Sequence, residues 1–283
     1  MARIIIKRLI NLLTKLNNKL SNKGFKNYRI ANSVEDIRLT ESIYLITPGR
    51  SGTKALIDFC ANYTDIYCEH APAPWLASIG YQYHQGIIGA EGAQYSFYAC
   101  REQYLKKAFQ QGRAFMDGDC KNLPLLPEIA KFLPNSKFIH IVRHPEKFIR
   151  SGLARGYYNS LSPELWGHLE SNKKDDSHTL KSQIQKIAFF WNEANLIAEK
   201  MKQTLGIERV ATLLAEDMFR NPKTIITTLS LLDISLNVKQ AKNYKIRLLN
   251  QQKSGHVNSI ETDALIKEVI ATHCPTRLLY YSN

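Results

Sequence analysis

Hydrophobic positions along the chain fall into two regimes. Over residues 3–20, Ile5, Leu9, Leu12, Leu13, Leu16 and Leu20 recur at helical spacing, with Lys7, Arg8, Asn11, Lys15 and Asn18 on the opposite face. This pattern predicts a basic amphipathic helix, and a polar connector, Asn17 to Asn32, follows it. From about residue 42, short apolar runs alternate with helical segments. Ser42–Thr47, Ala114–Asp117, Lys137–Val142 and Arg209–Leu214 read as strands, nearly continuous in apolar character as strands covered on both faces are. Helices are predicted at about 52–61, 124–133, 145–155, 179–204 and 221–232. The alternation predicts one α/β domain over residues 33–283, a central parallel β-sheet flanked by helices, behind an appendage of residues 1–32. Internal repeats and low-complexity segments are absent, and Ser171–Ser177 reads as an exposed charged loop.

Composition narrows the classes. With 283 residues and 44% apolar content the chain can bury a substantial core, which excludes disorder as its dominant state. The formal charge of +13 is uneven: eight Lys/Arg and no acid fall in the first 30 residues, leaving an excess of five over the remainder. A nucleic-acid surface is therefore not required to explain it, and no nucleic-acid partner is expected. The amphipathic helix can dock on a membrane surface, on a partner, or on its own domain or a second subunit. The last reading is favoured, because such stripes are common in soluble proteins. Five cysteines, Cys60, Cys68, Cys100, Cys120 and Cys274, include no CxxC pair, which fits a reducing compartment and argues against a disulfide framework or zinc ribbon. No apolar run approaches a membrane span and no secretory leader is evident, so the expected location is cytoplasmic.

The first strand runs straight into Thr47-Pro48-Gly49-Arg50-Ser51-Gly52-Thr53-Lys54 and then a helix. A strand, a Gly-containing turn and a helix N-terminus aim several backbone N–H groups and a helix dipole at one point, which suits phosphate or sulfate. A nucleotide-triphosphatase loop needs GxxxxGK[ST]. Here two residues separate Gly49 from Gly52, and Lys54 follows Thr53 instead of preceding it. Strand Lys137–Val142 also lacks an acid to hold magnesium.

The loop is similar to the P-[KR]-S-G-T phosphosulfate-binding loop of sulfotransferases, which use 3′-phosphoadenosine-5′-phosphosulfate (PAPS). Further segments carry the resemblance. Arg143-His144-Pro145, with Ser151 eight residues beyond Arg143, resembles the R-[ND]-P-x(5)-S segment that grips the donor's 3′-phosphate, and Arg155 lies one helical turn after Ser151. Leu213 to Pro222 resembles the family's "YEDL…DP" junction, with Ala215 where the aromatic usually stands. Gly118-Asp119-Cys120-Lys121-Asn122 is placed like the family's "K-x-P" lysine, making Lys121 a candidate second cation. The resemblance spans about residues 42–232 and implies a P-loop NTPase-like sulfotransferase fold, PAPS as donor, adenosine 3′,5′-bisphosphate (PAP) as product, no required metal and a small-molecule acceptor. It places Arg50 at the transferring group, the Ser51, Gly52, Thr53 and Lys54 amides on the 5′-phosphate, and Arg143, Ser151 and Arg155 on the 3′-phosphate. Lys253 and Ser254 take the place of a late loop that closes over that phosphate.

A base must accept the acceptor's proton. Glu69 and His70 stand where related enzymes carry a catalytic Glu after their second strand; on an extended backbone they point to opposite sides. Glu69 is favoured by position, whereas His70 has a pKa of ~6.5 already suited to the task. Glu216 and Asp217 read as structural, as do His140 and His144. Tyr81, Tyr83, Tyr95, Phe97 and Tyr98 line either an acceptor pocket or the core. The composition is similar to that of bacterial, cyanobacterial-type enzymes that tailor natural products, which makes a guanidinium alkaloid of the saxitoxin kind one expected acceptor. A kinase-like phosphotransferase and a non-catalytic nucleotide- or membrane-binding protein stand as alternatives.

Overall fold

The computed structural model describes residues 33–159, 162–171, 178–234 and 259–281. The helix and connector expected over residues 1–32, most of the Ser171–Ser177 loop, and Lys253 and Ser254 lie outside the described residues. Chain order is α1 (Val34–Arg38), β1 (Ser42–Ile46), α2 (Thr53–Tyr63), β2 (Ile66–Glu69), α3 (Ala77–His84), α4 (Ala90–Gln111) and β3 (Ala114–Asp117). A 3-10 turn (Cys120–Leu125) leads into α5 (Leu126–Phe132), β4 (Ser136–Val142), α6 (Pro145–Leu153), α7 (Pro163–Trp166) and α8 (Leu180–Leu205). The chain continues through β5 (Val210–Leu214), α9 (Ala215–Arg220), α10 (Lys223–Leu231) and α11 (Ile260–His273).

The strands form one five-stranded parallel sheet in the order β2-β3-β1-β4-β5. Side chains alternate between two cores, as pleated strands dictate. Tyr44 and Ile46 of β1, Phe115 of β3 and Phe138 and Val142 of β4 pack into one, on the side of α4, α5, α6, α8 and α11. Ile43, Leu45, Met116, Ile139 and Ile141 pack into the other, on the side of α2 and α10. Both faces are covered, which is why the predicted strands read as unbroken apolar runs.

The expected α/β class and the predicted strands and helices are present, with ends shifted by a few residues. The helix predicted from 124 begins at Leu126, because Pro124 sits in the 3-10 turn before it. The largest omission is α4. Its buried stripe is Ala93, Phe97, Arg101, Leu105 and Ala108, and an arginine at the centre hides the apolar period. Phe97 is fully buried there and Tyr98 packs at the core's edge, so of the two readings open for these aromatics the core holds for both. Tyr81 and Tyr83 are partly buried and bonded to Glu170 and Glu128, while Tyr95 is exposed.

The strand order sets the position of the site. From β1 the chain moves to β2 and β3 on one side of the sheet, and later enters β4 and β5 on the other. The segments leaving the adjacent carboxyl ends of β1 and β4 therefore diverge and open a crevice between them, the place where open parallel sheets bind ligands.

Candidate active site

β1 ends at Ile46 and the chain turns into α2 through a loop with left-handed backbone at Gly49 (φ +83°), Arg50 (φ +55°) and Gly52 (φ +91°). Glycine is demanded at Gly52, where a Cβ would lie 2.4 Å from Met218 Cε and 2.7 Å from Phe219 Cζ. At Gly49 it would lie 3.0 Å from Cys120 Sγ. Arg50 adopts the same region with a full side chain, at a cost on the order of 1–3 kcal/mol that the surrounding loop must sustain. The loop is tied internally: the Gly49 N–H donates to Thr47 Oγ1 (3.2 Å), and the Ser51 hydroxyl donates to the Gly49 carbonyl (2.9 Å) while accepting from Thr47 (3.1 Å). Ser51 thus uses its hydroxyl inside the loop and has its backbone N–H to offer a ligand. Gly52 opens α2 with no side-chain cap, leaving first-turn N–H groups of Thr53 and Lys54 for an anion.

Across the crevice, three expected residues meet. Arg50 Nε donates to Ser151 Oγ on α6 (3.1 Å), and the Arg143 guanidinium donates to the Arg50 carbonyl (2.5 Å). The Arg143 carbonyl accepts from the indole of Trp191 on α8 (2.8 Å), which anchors the turn after β4. Burial lowers the pKa of Arg50, and the charge of Arg155 lowers it further. Burial also lowers Arg143, with Glu216 opposing and Arg50 adding to the shift. No described carboxylate lies in ion-pair contact with Arg50, Arg143 or Arg155. Arg50 and Arg143 are partly desolvated guanidiniums without a carboxylate in direct contact, an unfavourable arrangement that an anion relieves.

The other expected residues take different places. Lys54 turns its ammonium to Asp58 (3.4 Å). Glu69 is the last residue of β2 and His70 the first beyond it, and the two side chains have different neighbours. Glu69 lies with Tyr67 on the α4 side and accepts from the Tyr67 hydroxyl (2.6 Å), which itself lies within 3.3 Å of Lys107 Nζ. His70 lies toward α2, held below its usual pKa by partial burial of the ring and by Lys54, with Asp58 and Asp117 opposing. Lys121 has its backbone N–H fixed by Asp119 (3.0 Å) and its ammonium over the Trp75 ring (4.2 Å to the centroid). Glu216 is structural as expected: burial would raise its pKa, but backbone N–H groups, Tyr281 and Lys147 outweigh it. It accepts from the His144 N–H (3.2 Å) and the Tyr281 hydroxyl (2.9 Å). His140 is a core residue bonded to Asn195 (2.9 Å), its pKa pushed down to about 3 by burial.

Some residues at the site were not legible in sequence. Tyr157 stands beside the loop, its hydroxyl 4.0 Å from where a Gly49 Cβ would lie; burial raises its pKa, with the charges of Arg50 and Arg155 opposing. Tyr281, near the chain's end, contacts the His144 ring at 5.0 Å. With His144, Leu214, Glu216 and Asp217 it lines a cavity of about 410 Å³ at the ends of β4 and β5. Ala215 is buried and lines none of it. Beneath the end of β3, Arg101 is fully buried with Asp117 (2.6 Å) and Asp119 (3.3 Å).

Comparison with known proteins is consistent with this geometry. A family model described as the sulfotransferase family matches residues 42–231. A solved sulfotransferase domain from the curacin biosynthetic pathway aligns with a TM-score of 0.50 at 13% identity, covering 86% of this chain and 99% of that one. A sulfotransferase from Alicyclobacillus acidocaldarius aligns with a TM-score of 0.47 at 15% identity, covering 85% and 96%. At 13% identity the likeness to the curacin-pathway domain is one of fold. No curated protein matches the chain.

Proposed function

The chain belongs to the sulfotransferase family, and from that premise we propose that it moves a sulfuryl group from PAPS to a hydroxyl or nitrogen of a small-molecule acceptor, releasing PAP. The reading is carried by one observation: Arg50, Arg143 and Ser151 converge at the crevice between β1 and β4, and its guanidiniums have no described carboxylate in ion-pair contact. That donor set suits a ligand with several anionic groups. The N–H groups of Ser51, Gly52, Thr53 and Lys54 would take the 5′-phosphate. Arg143, Ser151 and Arg155 would take the 3′-phosphate, with the nucleoside directed toward the cavity beside His144 and Tyr281. Tyr281 then offers the aromatic wall that Ala215 lacks.

In the transfer, the bond from sulfur to the 5′-phosphate oxygen breaks as the acceptor's oxygen or nitrogen bonds to sulfur. Charge develops on the leaving phosphate oxygen, and Arg50 is the cation assigned to it; preorganised donors act there because their orientation is fixed before reaction. Lys121 is a second cation for the same group only if its ammonium leaves Trp75. The acceptor's proton passes to Glu69 or His70. His70 is neutral at pH 7 and ready to accept it, whereas Glu69 already binds the Tyr67 hydroxyl. Lys253 and Ser254 are proposed to close on the 3′-phosphate by sequence position alone. The acceptor of this enzyme is proposed to be a natural-product intermediate.

Calorimetry of the purified protein with PAP, and separately with ATP plus magnesium, tests the donor. PAP is expected to bind and ATP to bind much more weakly. Preference for ATP would instead support the phosphotransferase alternative.

A further inference from the structure

The chain has three tryptophans, and they differ in exposure: Trp191 is buried at 1%, whereas Trp75 is 65% and Trp166 43% exposed. Singly exposed aromatics are ordinary, but exposed aromatics gathered around one point mark a contact surface. These two are linked through Lys121. Its ammonium lies over the Trp75 ring at 4.2 Å, and its stem packs against Gly167, where a Cβ would lie 3.1 Å from Lys121 Cβ. Gly167 takes a left-handed φ of +68° and follows Trp166 directly, so the close approach of Lys121 and the placement of that indole depend on the same glycine. Trp166 in turn faces the His168 ring, centroids 6.3 Å apart and planes inclined by 29°. His168 is 4% exposed and its Nδ1 has no hydrogen-bond partner among the described residues. Its pKa is lowered to about 4 by burial and by the Lys121 charge.

This platform is continuous with the transferring end of the site. His168 packs on Tyr157 with centroids 4.1 Å apart, and Tyr157 adjoins Gly49 and Arg50. Cys120, next to Lys121, packs on Gly49 as well. The opposite end, with Arg143 and the cavity at β4 and β5, is where the donor's 3′-phosphate and nucleoside are assigned.

We propose that the acceptor lies across Trp75 and Trp166 over Lys121, and that it is a flat, apolar, hydroxyl-bearing molecule that is uncharged or anionic. The inference rests on the sulfotransferase reading. Two exposed indoles offer stacking surfaces to a planar body. The Lys121 ammonium over the Trp75 ring has no carboxylate in ion-pair contact among the described residues, so it repels a cationic acceptor and tolerates a neutral or anionic one. A guanidinium acceptor meets the wrong charge here.

The test uses 2-naphthol as probe and agmatine as a guanidinium competitor, with the full chain saturated in PAP. Anisotropy of the naphthol emission is expected to rise saturably. Trp75→Ala and Trp166→Ala are each expected to weaken naphthol binding about tenfold, the order of one aromatic contact plus its buried area. Calorimetry with PAP should be unchanged in both variants, which also shows that they fold. Agmatine should not compete. Normal PAP binding with no saturable naphthol binding, naphthol binding indifferent to both substitutions, or displacement by agmatine would overturn the proposal. Absence of PAP binding in the unmodified chain would overturn the donor reading beneath it.

Discussion

Two clusters of charge sit at the carboxyl ends of neighbouring strands and are solved in opposite ways. Below the end of β3, Arg101 is fully buried and bonded to Asp117 and Asp119, and the remaining carboxylate lone pairs accept from the Asp119 and Lys121 N–H groups and from Asn122. At the ends of β1 and β4, Arg50 and Arg143 are partly buried and donate to a hydroxyl and a carbonyl, with no described carboxylate in ion-pair contact. Burial alone would lower both sets of guanidiniums. In the first it is outweighed by Asp117 and Asp119, and the Arg101 pKa rises; in the second it prevails. The first cluster is complete without a ligand and holds the fold. The second is incomplete, which is the physical mark of a site that expects an anion.

The largest effect expected from this contrast is on stability. Arg101→Met should remove the cation and leave Asp117 and Asp119 buried, destabilising the chain by about 3–5 kcal/mol in denaturant or thermal unfolding. Asp119, already raised to about 6 by burial and by Asp117, marks how little solvent these carboxylates reach. A loss under about 1 kcal/mol would mean that the cluster is not the desolvated pair it is taken to be here.

Arg50→Ala should do the reverse, with stability nearly unchanged, because it removes a partly buried guanidinium that has no ion-pair partner among the described residues while the left-handed backbone at position 50 stays. Its kcat is expected to fall about 10²–10³-fold, as when a preorganised transition-state donor is lost. Arg143→Ala should act on donor binding, raising the KM for PAPS roughly 10–100-fold, the range of one lost charge-assisted hydrogen bond, with a smaller effect on kcat. Steady-state kinetics separate the two. Equal losses in kcat and KM from both variants would show that the crevice is one undivided anion site.

The legible parts of this contrast were local. The strands showed as apolar runs because both sheet faces are covered, and the loop, Arg143 and Ser151 showed because their spacing is carried by single turns and one helix. The complete cluster was hidden: Arg101 and Asp117 are 16 positions apart on a helix and a strand, and the arginine itself interrupts the helix's apolar stripe. Tyr281 was hidden for the same reason, since it reaches the Val142 carbonyl from 139 residues away. Contacts made by tertiary packing leave no periodic trace, and the exposed Trp75 and Trp166 leave none until Lys121 is seen to meet the Trp75 ring and the glycine that follows Trp166.

The smallest expected effect applies the same contrast to adjacent residues at the end of β2. Glu69 is satisfied, its carboxylate occupied by Tyr67, whereas His70 is partly buried beside Lys54 and keeps its ring neutral. If His70 is the base, kcat/KM must fall when its ring is protonated, and since its pKa is lowered the acid limb should lie below the ordinary histidine value of ~6.5. Replacing Lys54 by Met removes one of the two causes of that lowering, so the limb should move upward toward 6.5 by a fraction of a pH unit, as read from a pH–rate profile. His70→Gln should abolish the limb along with most of the activity. A His70→Gln variant that keeps both would transfer the proton to Glu69, and would show that a hydrogen-bonded carboxylate on this strand is no less available than an unpaired imidazole.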